Sequence, residues 1–231
     1  MKPTALAALV LSLLLAHGAA AQIVGHAPES SPYQDIEDPR NLSFVGGYLL
    51  APYTRGHVNP HSGPLAGIRW DIHVGGPAYF EARWAHVFTD HDVTFPTEPP
   101  TIRDHGTKPT QLNLVDVGMA LNLVGERTWH GLIPVINVDV GVASDLGAAR
   151  DSALFRFGTQ FEMSAGAGIR WVPGGPIQMR FDVTDYFYAT RYPGAFRGTT
   201  AGPPVVPANA ALTAWRQNLA PTVGLSLTAF R

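Results

Sequence analysis

Of the nine histidines of this chain, His91 and His105 directly follow an aspartate, and His61 precedes a serine. His57, His61 and Ser62 form one group, Asp90, His91 and Asp92 a second, and Asp104 with His105 a third. Imidazole and carboxylate are ordinary metal ligands, and a serine next to histidine is the raw material of an activated nucleophile. A triad also needs an acid that orients the base, and no motif here supplies one. The spacings match no recognised metal motif either. The expectation is therefore solvated loop residues, with no catalytic residue, no metal and no cofactor. Gly166-Ala167-Gly168 has the start of a dinucleotide loop, but no third glycine follows and it lies within an alternating segment.

A larger set of ionisable residues shares one property. Arg69, Asp71, His73, Glu81, Arg83, Asp116, Asp139, Arg156, Glu162, Arg170, Arg180 and Asp182 all fall on the polar phase of segments that alternate with period two. Residues 155–171 show the pattern best. Phe155, Phe157, Phe161, Met163, Ile169 and Trp171 take one phase, while Arg156, Glu162, Arg170 and several glycines take the other. A strand sends successive side chains to opposite faces. In a soluble sheet the apolar face would cover a core; in a transmembrane barrel it meets lipid and the charges point inward.

Eight such segments follow one another, at 42–50, 65–74, 78–88, 112–124, 132–143, 155–171, 177–188 and 218–230. Most are close to the roughly 9–11 residues a tilted membrane strand needs, and exceed the roughly 5–6 usual in soluble proteins. Connectors alternate long and short: 51–64, 89–111 and 189–217 are long, whereas 75–77 and 173–176 are tight Gly/Pro turns. The pattern predicts an all-β fold, an eight-stranded antiparallel up-and-down transmembrane barrel. Its inward charges are expected to form an ion-pair network, since a buried charge is tolerated only when paired.

The start of the chain bears on compartment. Met1-Lys2, the apolar run 5–16 and Ala19-Ala20-Ala21 read as a secretory signal peptide over 1–21. A polar segment is expected at 22–40 and the barrel at 41–231. The chain has no cysteine, so disulfides hold nothing together, and its formal charge of -2 without a basic block argues against nucleic acid. Lysine occurs only at Lys2 and Lys108, leaving arginine as the principal cation.

With those features in place, the chain resembles the small outer-membrane barrels of the OmpA, OmpX and OmpW kind. The leader, the eight alternating segments, the run Arg180-Phe-Asp-Val-Thr-Asp-Tyr-Phe187 and the closing run 221–231 carry the resemblance. Two departures stand out: Phe230 is penultimate and out of phase with Val223, Leu225 and Leu227, and no peptidoglycan-binding domain is expected after the barrel. The resemblance implies an outer-membrane location, contact with outer-membrane lipid and lipopolysaccharide, insertion by the barrel-assembly machinery, and a monomer. Some relatives modify lipid A with Ser and His at the rim, but His57, His61 and Ser62 lack an orienting acid, so a non-enzymatic structural or surface-interaction role is expected. Two alternatives remain open at this level: passive transport of small or apolar molecules, and a soluble lipocalin-like barrel with the apolar phase inside.

Overall fold

The computed structural model describes residues 31–36, 39–198 and 202–228. The leader, most of the 22–40 segment and the last three residues, Phe230 among them, lie outside the described residues. Ten strands are present: β1 Tyr33–Asp35, β2 Arg40–Leu49, β3 Gly63–Gly75, β4 Ala78–Thr94, β5 Asp104–Asn122, β6 Arg127–Trp129, β7 Leu132–Ser144, β8 Thr159–Trp171, β9 Ile177–Arg191 and β10 Thr213–Thr228. Eight of them form a ring. The hydrogen-bonded order runs β7-β5-β4-β3-β2-β10-β9-β8, and β8 pairs again with β7. Every pairing around the ring is antiparallel. The remaining two, β1 and β6, pair with each other, and β6 continues into β7.

Closure removes every open edge, so each strand satisfies its backbone within the wall. Pro221 is the local exception. In the β2–β10 register it stands opposite Tyr48, it has no N–H to give, and the pairing stops at Thr222–Gly47 before resuming at the bridge Leu50–Leu219.

The two phases sort as a membrane barrel requires. Phe44, Val117, Val138, Phe161, Phe181 and Val223 are exposed on the outer face, with Val138 at 65%. Arg69, Asp71, Glu81, Asp116, Asp139, Glu162 and Arg180 are buried on the inner face. This is the opposite of a soluble ligand-binding barrel, which hides its apolar phase. Asp185 interrupts the outer phase between Val183 and Phe187, and its carboxylate accepts a bond from the Asn218 backbone N–H at 3.1 Å.

Inner glycines set how closely the strands approach. A Cβ on Gly141 would run into the Val115 carbonyl and the Asp116 backbone, although Gly141 needs no special φ. Glycine is there to let the neighbouring strand pass.

Strand limits depart from the sequence expectation in two ways. The β4–β5 hairpin continues to Thr94 and back from Asp104, well past the apolar segments. Beyond the apolar band both faces are polar, so pairing persists without alternation. In β8 the alternation reaches back to Phe155, yet the strand begins at Thr159. Gly158 takes φ 72, which ends the pleat, and Phe155 and Phe157 turn inward at 2% and 5% exposure. Phe157 therefore packs on Tyr188, with ring centroids 5.8 Å apart, and not on lipid.

Candidate functional site: the charged lumen and the histidine rim

The inner wall has three layers. At the short-turn end Tyr79, Ala120, Ile133 and Val135 form an apolar cluster with Ile36, Val124 and Val172. Above it lie the charges. Above those, Leu49, Leu65, Val87, Leu112 and Leu114 face inward, and the long connectors fold over them with Val58, Phe155, Phe196 and Val206. The alternation at these upper positions is apolar on both phases, and nothing in the sequence alone shows that loop residues fill the opening.

The middle layer gathers most of the twelve expected residues. Six carboxylates, Asp71, Glu81, Asp116, Asp139, Glu162 and Asp182, share it with three guanidinium groups, Arg69, Arg83 and Arg180. Arg83 is the centre of one half. Its Nε donates to Asp116 at 2.7 Å and lies 3.1 Å from Glu81, and its Nη2 donates to Asp139 at 2.9 Å and to Ser164 at 2.6 Å. Arg83 Nη1 donates to Thr184 at 3.2 Å. Arg180 is the centre of the other half, donating from Nε to Asp182 at 2.7 Å and from Nη1 to Asp71 at 3.0 Å. Arg69 joins the halves, with Nε on Asp71 at 2.8 Å and Nη2 2.5 Å from Glu81. Register explains this grouping: Arg69 stands opposite Arg83, Asp71 opposite Glu81, and Arg83 opposite Asp116 on facing strands. Gly118 leaves room for the Asp139 carboxylate, and Gly224 for the Arg180 side chain.

Four expected members behave differently. Arg170 lies lower, donating to Gln178 at 2.6 Å with its guanidinium 5.7 Å from the Tyr79 ring centre. His73 sits at the short-turn end, partly exposed, 2.8 Å from the Gly76 carbonyl and 3.5 Å from Glu126. Glu162 is fully buried, and neither of its oxygens has a hydrogen-bond partner or an ion pair among the described residues. Arg156 is not in the lumen. The break at Gly158 places it on the rim, 40% exposed, 3.4 Å from Asp145.

The histidines lie on the long-loop rim. His57 Nδ1 is 3.2 Å from Asp92, and His61 Nδ1 is 2.8 Å from Asp90. Tyr53 stacks on His57 with centroids 4.5 Å apart. These pairs tie the β2–β3 connector to the projecting hairpin. The Ser62 hydroxyl instead accepts from the Ala51 N–H at 2.9 Å and donates to its carbonyl at 3.2 Å, so it faces no histidine base. His91 lies 3.4 Å from the buried carboxylate of Asp151. Burial pushes the His91 imidazole below its usual range, outweighing the opposing pull of Asp151. No group of three or more metal-ligating side chains has metal-binding geometry among the described residues.

No family model and no curated protein sequence matches the chain. Solved structures resemble it, among them the following three. Neisserial surface protein A (NspA) aligns over 86% of this chain and 97% of its own with a TM-score of 0.50 at 8% identity. The outer membrane protein OprG from Pseudomonas aeruginosa aligns over 82% and 96%, with a TM-score of 0.47 at 9% identity. Ail of Yersinia pestis, crystallised with the heparin analogue sucrose octasulfate, aligns over 81% and 99%, with a TM-score of 0.36 at 8% identity. At such identities the likeness concerns the fold, and it agrees with the closed ring and inverted faces described above: the chain has the fold of the small eight-stranded outer-membrane β-barrel proteins.

Proposed function

We propose that this protein is an integral outer-membrane barrel without enzymatic activity, whose lumen is filled by its own ion-paired side chains and whose long loops present a structured surface. The observation that carries the reading is the inversion of faces. Side chains such as Val138 and Phe161 are exposed around the wall while Glu81 and Arg180 are sealed inside it. In water that arrangement leaves a large apolar area exposed; a bilayer covers it, while pairing makes the enclosed charges tolerable. An eight-stranded ring is also just wide enough for side chains to fill. The loop surface is ordered by its own contacts, through His57–Asp92, His61–Asp90 and the buried Phe155 and Phe196.

Fractionation of expressing cells, followed by electrophoresis with and without boiling, tests the reading. Recovery in the outer membrane with a heat-dependent mobility is expected, and recovery in the soluble periplasm would refute it. In planar bilayers the filled lumen gives no stable channels; steady conductance would overturn that part. A second reading, passage of apolar molecules through the wall, draws on the ladder break at Pro221. There a shallow apolar groove runs past Gly46, Ala167, Val183 and Pro221. Uptake of an apolar solute into vesicles that disappears in Pro221→Val would favour it over the purely structural role.

A further inference from the structure

Above the apolar band, the outer face of β9 changes character. Its outward phase runs Ile177, Met179, Phe181 and Val183, and after Asp185 reaches Phe187, which stacks on Trp215 with centroids 5.0 Å apart. Paired aromatics at a barrel margin mark the headgroup level. Ala189 follows on the same phase but is buried, and Arg191 at the end of the strand is exposed. Arg191 borders a pocket of about 560 Å³ shared with the β7–β8 connector, which contributes Arg150, Arg156 and Leu154, while Tyr192 and Pro193 form part of its floor.

Three arginines thus line one pocket, and no carboxylate is among its lining residues. Arg156 is anchored by Asp145, whose carboxylate also accepts the Gly158 N–H at 2.8 Å and the Gly147 N–H at 3.0 Å. Arg150 and Arg191 form no ion pair or hydrogen bond among the described residues. The connector is nonetheless built and not slack: Asp151 accepts the Phe155 N–H at 2.7 Å, and its carbonyl accepts the Leu154 N–H at 3.0 Å. It holds Leu154 at φ 63 with 67% of the residue exposed at the pocket's edge. A left-handed conformation is unfavourable for a leucine, so the fold gives up stability to display an apolar side chain beside unpaired arginines.

We infer that this pocket binds the phosphate of a membrane-lipid headgroup, with Arg150 and Arg191 as the principal ligands, Arg156 as a third, and Leu154 against the lipid's apolar part. Planar guanidinium forks match phosphate oxygens in pairs, and the height above Phe187 and Trp215 is where such phosphates lie. The inference rests on the membrane reading proposed above.

The test uses the folded protein in zwitterionic micelles, titrated with short-chain phosphatidic acid and followed by native mass spectrometry. The protein should retain phosphatidic acid and ignore the matching diacylglycerol. Replacing both Arg150→Gln and Arg191→Gln should weaken retention by about a hundredfold, the equivalent of about 2.7 kcal/mol. Arg127→Gln, which removes an exposed pair with Asp35 at the other end of the barrel, should change nothing. Unchanged retention in the double variant would overturn the assignment. Inorganic phosphate that competes at the same concentration as the lipid would overturn the lipid source. Since neither side chain has a partner, the variants should keep heat-dependent mobility. The double Arg→Lys form keeps the charge and loses the fork, and undiminished affinity there would refute recognition by paired hydrogen bonds. Loss of heat-dependent mobility in the unmodified protein would instead refute the barrel reading itself.

Discussion

Replacing Arg83 with methionine tests the physics of the lumen directly. The side chain keeps most of its volume, and the charge disappears. Glu81 retains Arg69 2.5 Å away, but among the described residues Asp116 loses its only ion pair, and Asp139 keeps only the Asn137 and Ser164 hydrogen bonds. Removing one partner of a buried pair costs about 3–5 kcal/mol, because the other charge is left uncompensated. Two stranded carboxylates share that loss with the Thr184 and Ser164 contacts, so the expected destabilisation is about 4 kcal/mol. At a slope of about 2 kcal/mol/M, the urea midpoint should fall by about 2 M. Folded protein in phospholipid vesicles is titrated with urea, and the folded fraction is read from the mobility of unboiled samples. Adding Asp116→Asn and Asp139→Asn to Arg83→Met should recover most of the stability, since the stranded charges are then gone. A midpoint shift below about 0.5 M for Arg83→Met, or no recovery in the triple variant, would refute the argument that pairing makes these charges tolerable.

Val138→Arg puts a cation on the middle of the outer wall, where the residue is 65% exposed. In vesicles the variant should lose about 2–4 kcal/mol, measured by the same titration, whereas a water-facing position would lose almost nothing. Gly141→Ala should impair folding by about 1–3 kcal/mol or more, because its methyl group meets backbone that cannot retreat; refolding yield into vesicles reads this out. His91 supplies a pH dependence. Its folded value lies below the ordinary imidazole value of about 6.5, so the unfolded or opened loop binds the proton more readily. Local stability is therefore complete above that value and is lost as pH falls through it. After correction for the intrinsic, base-catalysed exchange rate, protection across residues 145–158 should fall from about pH 7.5 to about pH 5.5, with His61 and Lys108 adding to the repulsion and Asp151 opposing it. In His91→Gln the acid-dependent part should vanish.

Much of this architecture was legible in the chain because period two is a local property. The segments 65–74, 132–143 and 177–188 carry it cleanly, and strands β3, β7 and β9 lie where it runs. Alternation also assigns a side chain to one phase or the other, and that suffices to separate Val138 from Asp139. It fails where the backbone leaves the pleat without changing the residue pattern. Phe155, Arg156 and Phe157 continue the rhythm of β8, and only the left-handed turn at Gly158 takes them out of the wall. The same limit hid the projecting β4–β5 hairpin, whose polar residues on both faces look like loop.

The sequence by itself determined the eight strands of the wall, the two faces and the presence of charges on the inner one, since each follows from spacing along the chain; the short β1 and β6 carry no such signal. Which charges meet was decided by the tertiary structure. Arg83 reaches Asp116, Asp139 and Thr184 because strand register and closure bring distant residues to one level. The same closure leaves Glu162 without a partner and places Arg150, Arg156 and Arg191 around one pocket. No spacing along the chain encodes those meetings, because pairing across a barrel depends on the stagger between strands and on where the loops fold back.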